Sequence, residues 1–119
     1  MSDGRREKGR KLVAKLFKGI SGNARSVMSP SFSAFTIEHL YGEVWQQDDL
    51  ALEERSLATC AILIALNRPE EQAGHFQVAR NLGIPREKLC AVITHAAYYA
   101  GWPNAVGAFR VLNEVWPEE

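Results

Sequence analysis

Three features of the 119-residue chain predict an all-α fold of six helices. Apolar residues recur at three- and four-residue spacing along most of its length. Prolines 69, 85 and 103 stand where helices open, and the linkers between those helices are only a few residues long. Helices joined so tightly fold back as neighbouring hairpins, here within a single domain. No segment reads as a strand.

The first helix rests on Leu12, Val13, Leu16 and Phe17, and Gly19, Ser21, Gly22 and Asn23 close it. Ser29 followed by Pro30 opens the second, with serine as cap and proline in the first turn, and Phe35, Leu40 and Val44 share a face running to Trp45. The third begins at Leu50 with Asp49 as cap and Glu53 and Glu54 near the positive end of the helix dipole. Its second half is apolar nearly all round, which predicts a central helix packed on several sides. Pro69 opens the fourth, carrying Ala73, Phe76, Ala79 and Leu82, and Gly83 ends it as a left-handed cap. Pro85 opens the fifth, with Leu89, Val92, Ile93 and Ala96. Gly101 stops it, and Pro103 launches the sixth through Val106, Phe109, Leu112 and Val115.

Composition excludes several functions. The longest greasy stretch, residues 60–66, is too short to span a bilayer, and the basic N-terminus lacks the features of a secretory signal, so a cytoplasmic protein is expected. Charge is uneven: residues 1–25 hold eight Lys or Arg against two acids, the remainder six against twelve. A basic N-terminal arm over residues 1–28 followed by a helical domain over 29–119 is the expected organisation. Such an arm suits an acidic neighbour in an oligomer better than nucleic acid, and no nucleic-acid or membrane partner is expected. Cys60 and Cys90 read as two buried, reduced thiols. No H-E-x-x-H or C-x-x-C spacing supports a metal site, and no Gly-rich phosphate loop or G-x-S-x-G elbow occurs.

Few polar residues remain to carry chemistry. His75 stands with Ala79 and Leu82 along one helix edge, bordering the apolar stripe, where burial tunes a pKa. His95 resembles it, three residues after Val92 and four before Tyr99. His39 is best read as a structural histidine. Arg55 lies one turn into a hydrophobic helix, where it snorkels, pairs with Glu43, Glu53 or Glu54, or clamps an anion. Glu43 has small and aromatic neighbours that would desolvate it and raise its pKa. Tyr98, Tyr99 and Trp102 read as core.

Read in order, Gly42-Glu43-Val44-Trp45, Arg55-Ser56-Leu57-Ala58-Thr59, the run from Gly74-His75 to Leu82-Gly83, Ile93-Thr94-His95 and Tyr99-Ala100-Gly101-Trp102-Pro103 resemble the carboxymuconolactone decarboxylase family from about Phe32 to Trp116. The resemblance implies the six-helix orthogonal bundle of alkylhydroperoxidase D-like proteins, assembled as a homohexamer, a trimer of dimers, with the basic segment as an oligomer contact. It implies cofactor-free decarboxylation of 4-carboxymuconolactone to β-ketoadipate enol-lactone in aromatic catabolism. The superfamily's redox members carry Cys-x-x-Cys with three residues between the second cysteine and a histidine; if that histidine is His75, the cysteine places here hold Arg68 and Glu71, and the glutamate place falls near Ser56. Without the dithiol a peroxidase mechanism is not expected.

Decarboxylation of such a lactone pushes electrons onto the lactone carbonyl. It therefore needs an oxyanion donor, a cation for the remaining carboxylate, an apolar wall and an acid. The expected assignments are His75 as proton donor or oxyanion partner, Arg55 as carboxylate clamp and Glu43 as the group that orients or reprotonates His75. Tyr99, Trp102 and Trp45 line the substrate, and His95 is the second acid candidate. Competing expectations are the same fold acting on another lactone or β-keto acid, or a non-catalytic oligomeric binding protein.

Overall fold

The computed structural model describes residues 4–20 and 27–118, and among them every regular element is helical. Ser21, Gly22, Asn23 and Arg25, used above as helix punctuation and as part of the basic segment, lie outside the described residues. The chain forms two compact units, Met1–Ala51 and Leu52–Glu119.

In the first unit, helix α1 spans Arg5–Leu16, opening seven residues before Leu12, the first apolar position expected. Charged Arg, Lys and Glu residues are good helix formers, and apolar spacing alone does not register them. Arg5 and Arg6 are held besides by Glu43 and Glu38. Leu12 and Leu16 are buried, as expected. Glycine is required at two points: a Cβ on Gly9 would strike the Ile37 carbonyl, and one on Gly42 would strike the carbonyls of Arg5 and Glu38.

Helix α2 spans Pro30–Phe35, and Ser29 caps it, its Oγ accepting the Phe32 N–H at 3.2 Å. The expectation of one face running to Trp45 is corrected here. From Thr36 to Tyr41 the backbone widens into a π-helix, and a 3-10 turn follows at Val44–Gln46. The wider turn rotates the register, leaving Phe35 and Leu40 exposed while Ile37 and Tyr41 are buried. The Tyr41 ring lies edge-on to Phe17 at 6.1 Å and tilted against Trp45 at 5.5 Å.

The second unit holds four long helices. Helix α3 (Leu52–Ala65) starts two residues later than expected, so Asp49 does not occupy its cap position. It packs on the three helices that follow. Its wrapping is nonetheless incomplete, because Ile62 and Leu66 are exposed. Asn67, at φ 56°, ends it in the left-handed region. There the Arg68 N–H reaches the Leu63 carbonyl at 3.0 Å and the Asn67 N–H reaches the Ile64 carbonyl at 3.1 Å. Helix α4 (Pro69–Asn81) has proline in its first turn, then Glu70 and Glu71, with Arg80 in its last. Gly83, at φ 83°, closes it as expected, with bonds from Gly83 to Arg80 and from Ile84 to Ala79.

Helices α5 (Arg86–Ala100) and α6 (Trp102–Val115) are separated by Gly101 alone. Arg86 ties the start of α5 to the end of α6, donating to the Trp116 carbonyl and to Asn113 Oδ1, each at 2.6 Å. The core gathers Cys60, Ile64, Phe76, Leu89, Ile93 and Leu112, all fully buried. Three aromatic expectations fail. α5 turns Leu89, Ile93, Ala96 and Ala97 inward, which points Tyr98 and Tyr99 out. Tyr99 is 82% exposed and Trp102 59%.

Candidate active site

Within the second unit, α3 and α4 are bound together by side chains that reach across to backbone. The Cys60 thiol donates to the His75 carbonyl at 3.7 Å, and Gln72 Nε2 donates to the Leu63 carbonyl at 3.1 Å. These two links set the height of α4 against α3 at the turn that carries His75. The ring of His75 is half-buried, its Nδ1 inside the protein. Burial lowers its pKa below the ordinary 6.5, and the Glu71 carboxylate one turn earlier partly opposes that shift. The position bordering the apolar stripe is therefore the one expected, and the tuning is in the direction burial dictates.

Arg55 lies on α3, half-buried, with its Nε inside the protein. Its carbonyl accepts the Thr59 hydroxyl at 2.8 Å. Burial drives the Cys60 thiol up to about 12, against a smaller opposing effect from the Ser56 hydroxyl. A thiol so raised carries almost no thiolate at neutral pH and is a poor nucleophile. Cys90 is only partly buried, a correction to the expectation of two buried thiols, and lies 3.7 Å from an Arg86 nitrogen.

A groove of about 570 Å³ runs between α3 and α5. Leu57, Ala58 and Ala61 form one wall, and Val92, His95 and Tyr99 form the other. The His95 and Tyr99 rings stack with centroids 4.9 Å apart. Neither His75 nor Arg55 lines this groove, so of the residues expected to form one site only His95 and Tyr99 lie along it. Trp102 stands outside it, edge-on to Tyr98 at 5.7 Å. Trp45 belongs to the buried core of the first unit.

Glu43 requires the clearest correction. Its side chain is 45% exposed and its pKa is lowered rather than raised, chiefly by the hydrogen bond from Arg5 at 2.8 Å and then by that from His39 at 3.3 Å. The small and aromatic neighbours that suggested desolvation turn inward, leaving the carboxylate among cations. His39 is an exposed ring held by the same carboxylate, not a core-edge histidine bonded to a carbonyl.

Sequence reasoning overlooked Gln72, buried on the core face of α4. A polar residue four positions before Phe76 and three before His75, within an apolar periodicity, was the available signal. It also overlooked Lys88, which lines the groove from α5. Among the described residues, no three of His, Cys, Asp or Glu gather where they could hold a metal ion. No helix among them is long and apolar enough to cross a membrane.

Comparison with known proteins points the same way as the motifs. Residues 30–114 match the model of the carboxymuconolactone decarboxylase family. A 4-carboxymuconolactone decarboxylase of Acinetobacter baylyi is 34% identical over 87 residues, 73% of this chain and 65% of the relative. A nitrosuccinic acid decarboxylase of Metarhizium robertsii is 32% identical over 92 residues, 77% of this chain and 64% of the relative. The chain thus spans just under two thirds of the length of either relative.

Proposed function

The chain belongs to the carboxymuconolactone decarboxylase family, and on that premise we propose that it is a carboxy-lyase acting on a small lactone carboxylate, with 4-carboxymuconolactone as substrate. The ring C–C bond to the departing carboxylate breaks, and its electron pair moves through the ring double bond onto the lactone carbonyl. Carbon dioxide leaves. The resulting dienolate takes a proton at the ring carbon beside the carbonyl, giving the enol-lactone.

The observation that carries this reading is the half-buried imidazole of His75 with its lowered pKa. Once protonated, such a group is a stronger acid than free histidine, suited to returning the proton to carbon. A substrate bearing two carboxylates raises that pKa when it binds, because negative charge nearby favours the imidazolium. Arg55 is the anchor for the substrate's remaining carboxylate, which its planar guanidinium matches with two parallel hydrogen bonds. Glu43, committed to Arg5 and His39, has no part in the proton chemistry of this reading.

A second placement of the same chemistry is favoured by the groove. There His95, stacked on Tyr99, would supply the proton against an apolar wall of Leu57, Ala58 and Ala61. His75→Ala and His95→Ala separate the two: the acid's removal costs about 10²–10⁴ in kcat and the other's little. The exposed apolar side chains Ile62, Leu66, Tyr98, Tyr99, Trp102 and Val106 support self-association, with a hexamer as the proposed assembly. If purified protein turns over neither this lactone nor a panel of related lactone and β-keto acids, the carboxy-lyase reading is wrong.

A further inference from the structure

Gln72 is 1% exposed, and its amide is oriented by the bond from Nε2 to the Leu63 carbonyl, which fixes the other end of the amide as the oxygen. That oxygen is buried and has no hydrogen-bond partner among the described residues. The Nε2 bond accounts for a donor at this position but leaves the desolvation cost of the carbonyl oxygen without an offset. Gln72 and His75 are three residues apart on α4 and are therefore neighbours on its surface.

We propose that Gln72 is a positioning residue for His75: its buried carbonyl oxygen is the negative end of a fixed dipole that stabilises the protonated imidazole. The inference rests on the carboxy-lyase reading, in which His75 must gain and lose a proton although burial disfavours its charge. The other groups around α4 supply little help. Glu71, on α4 itself, opposes the effect of burial and is exposed to solvent screening. From α3 come the Cys60 thiol, neutral at working pH, and the uncharged Ser56, while the Arg55 cation on the same helix opposes rather than aids protonation of His75. From α5 and α6 the core cluster contributes only apolar side chains. In such surroundings a single oriented amide acts more strongly than it would in water.

The test is histidine-resolved NMR titration of the whole protein, with thermal melting and steady-state kinetics, on wild type, Gln72→Met and Gln72→Glu. Gln72→Met removes the dipole and keeps the volume. It is expected to lower the His75 midpoint by about half a unit or more and to lower kcat about tenfold with little change in KM, whatever the loss of the Leu63 bond does to Tm. Gln72→Glu is expected to raise the His75 midpoint. A His75 midpoint that moves in neither variant overturns the proposal, as does a Gln72→Met protein that melts lower yet keeps its His75 midpoint and kcat. If Gln72→Met does not fold, an unmoved midpoint in Gln72→Glu overturns it alone. Failure of the carboxy-lyase reading is distinguishable, since wild type would then not decarboxylate while the titrations still responded.

Discussion

Single side chains carry the chemistry and the sharpest predictions. Because burial lowers the His75 pKa, folding disfavours its protonation. The unfolded chain binds that proton more readily, so the stability this group contributes is present above about pH 6.5 and is lost as pH falls through the folded pKa. Melting temperature should therefore decline on acidification below pH 6.5, and His75→Asn should flatten the decline. Catalysis runs the other way, since the acid must be protonated: kcat/KM should fall as pH rises through the free-enzyme pKa, below 6.5, and kcat should fall at a higher pH set by the bound anion. Coincident midpoints would contradict that account of His75. The thiols offer a separate check. Cys90 should react with a thiol probe in the native protein and Cys60 only on unfolding, because Cys60 is fully buried and raised to about 12.

Helices and their junctions determine where those side chains stand, and here most of the fold was legible. Pro69, Gly83, Pro85, Gly101 and Pro103 mark helix boundaries through φ preferences that belong to the residues themselves, and the structure places α4, α5 and α6 between them. The second helix was misread because a π-helix keeps no 3.6-residue period: with the extra residue per turn, Phe35 and Leu40 rotate outward. Close approaches were also invisible, since nothing local distinguishes Gly9 from any other helical glycine. Substituting Gly9→Ala should destabilise the packing of α1 against the π-helix by about 1–3 kcal/mol, read from denaturant unfolding, because the added methyl meets backbone rather than a movable side chain. Asn67→Ala should cost about 1–2 kcal/mol for the left-handed conformation, with Asn67→Gly tolerated.

Across the molecule, the candidate site was less legible than the fold. His75 is bordering the core where helical spacing put it. The carboxylate of Glu43 was misjudged because its charged partner Arg5 lies 38 positions away in sequence, and no local reading reveals such a contact. Tyr98, Tyr99 and Trp102 were read as core because apolar bulk is ordinarily buried within its own chain. Their exposure fits an assembly, for which light scattering on wild type and Trp102→Glu is the test: a large species for wild type and smaller ones for the variant. The central claim is decarboxylation with His75 as proton donor. The most direct measurement incubates purified wild type and His75→Ala with freshly generated 4-carboxymuconolactone and follows carbon dioxide release. The account predicts turnover by wild type and a loss of about 10²–10⁴ in the folded variant. Absence of turnover by folded wild type, or a variant within about threefold of it, would contradict the account.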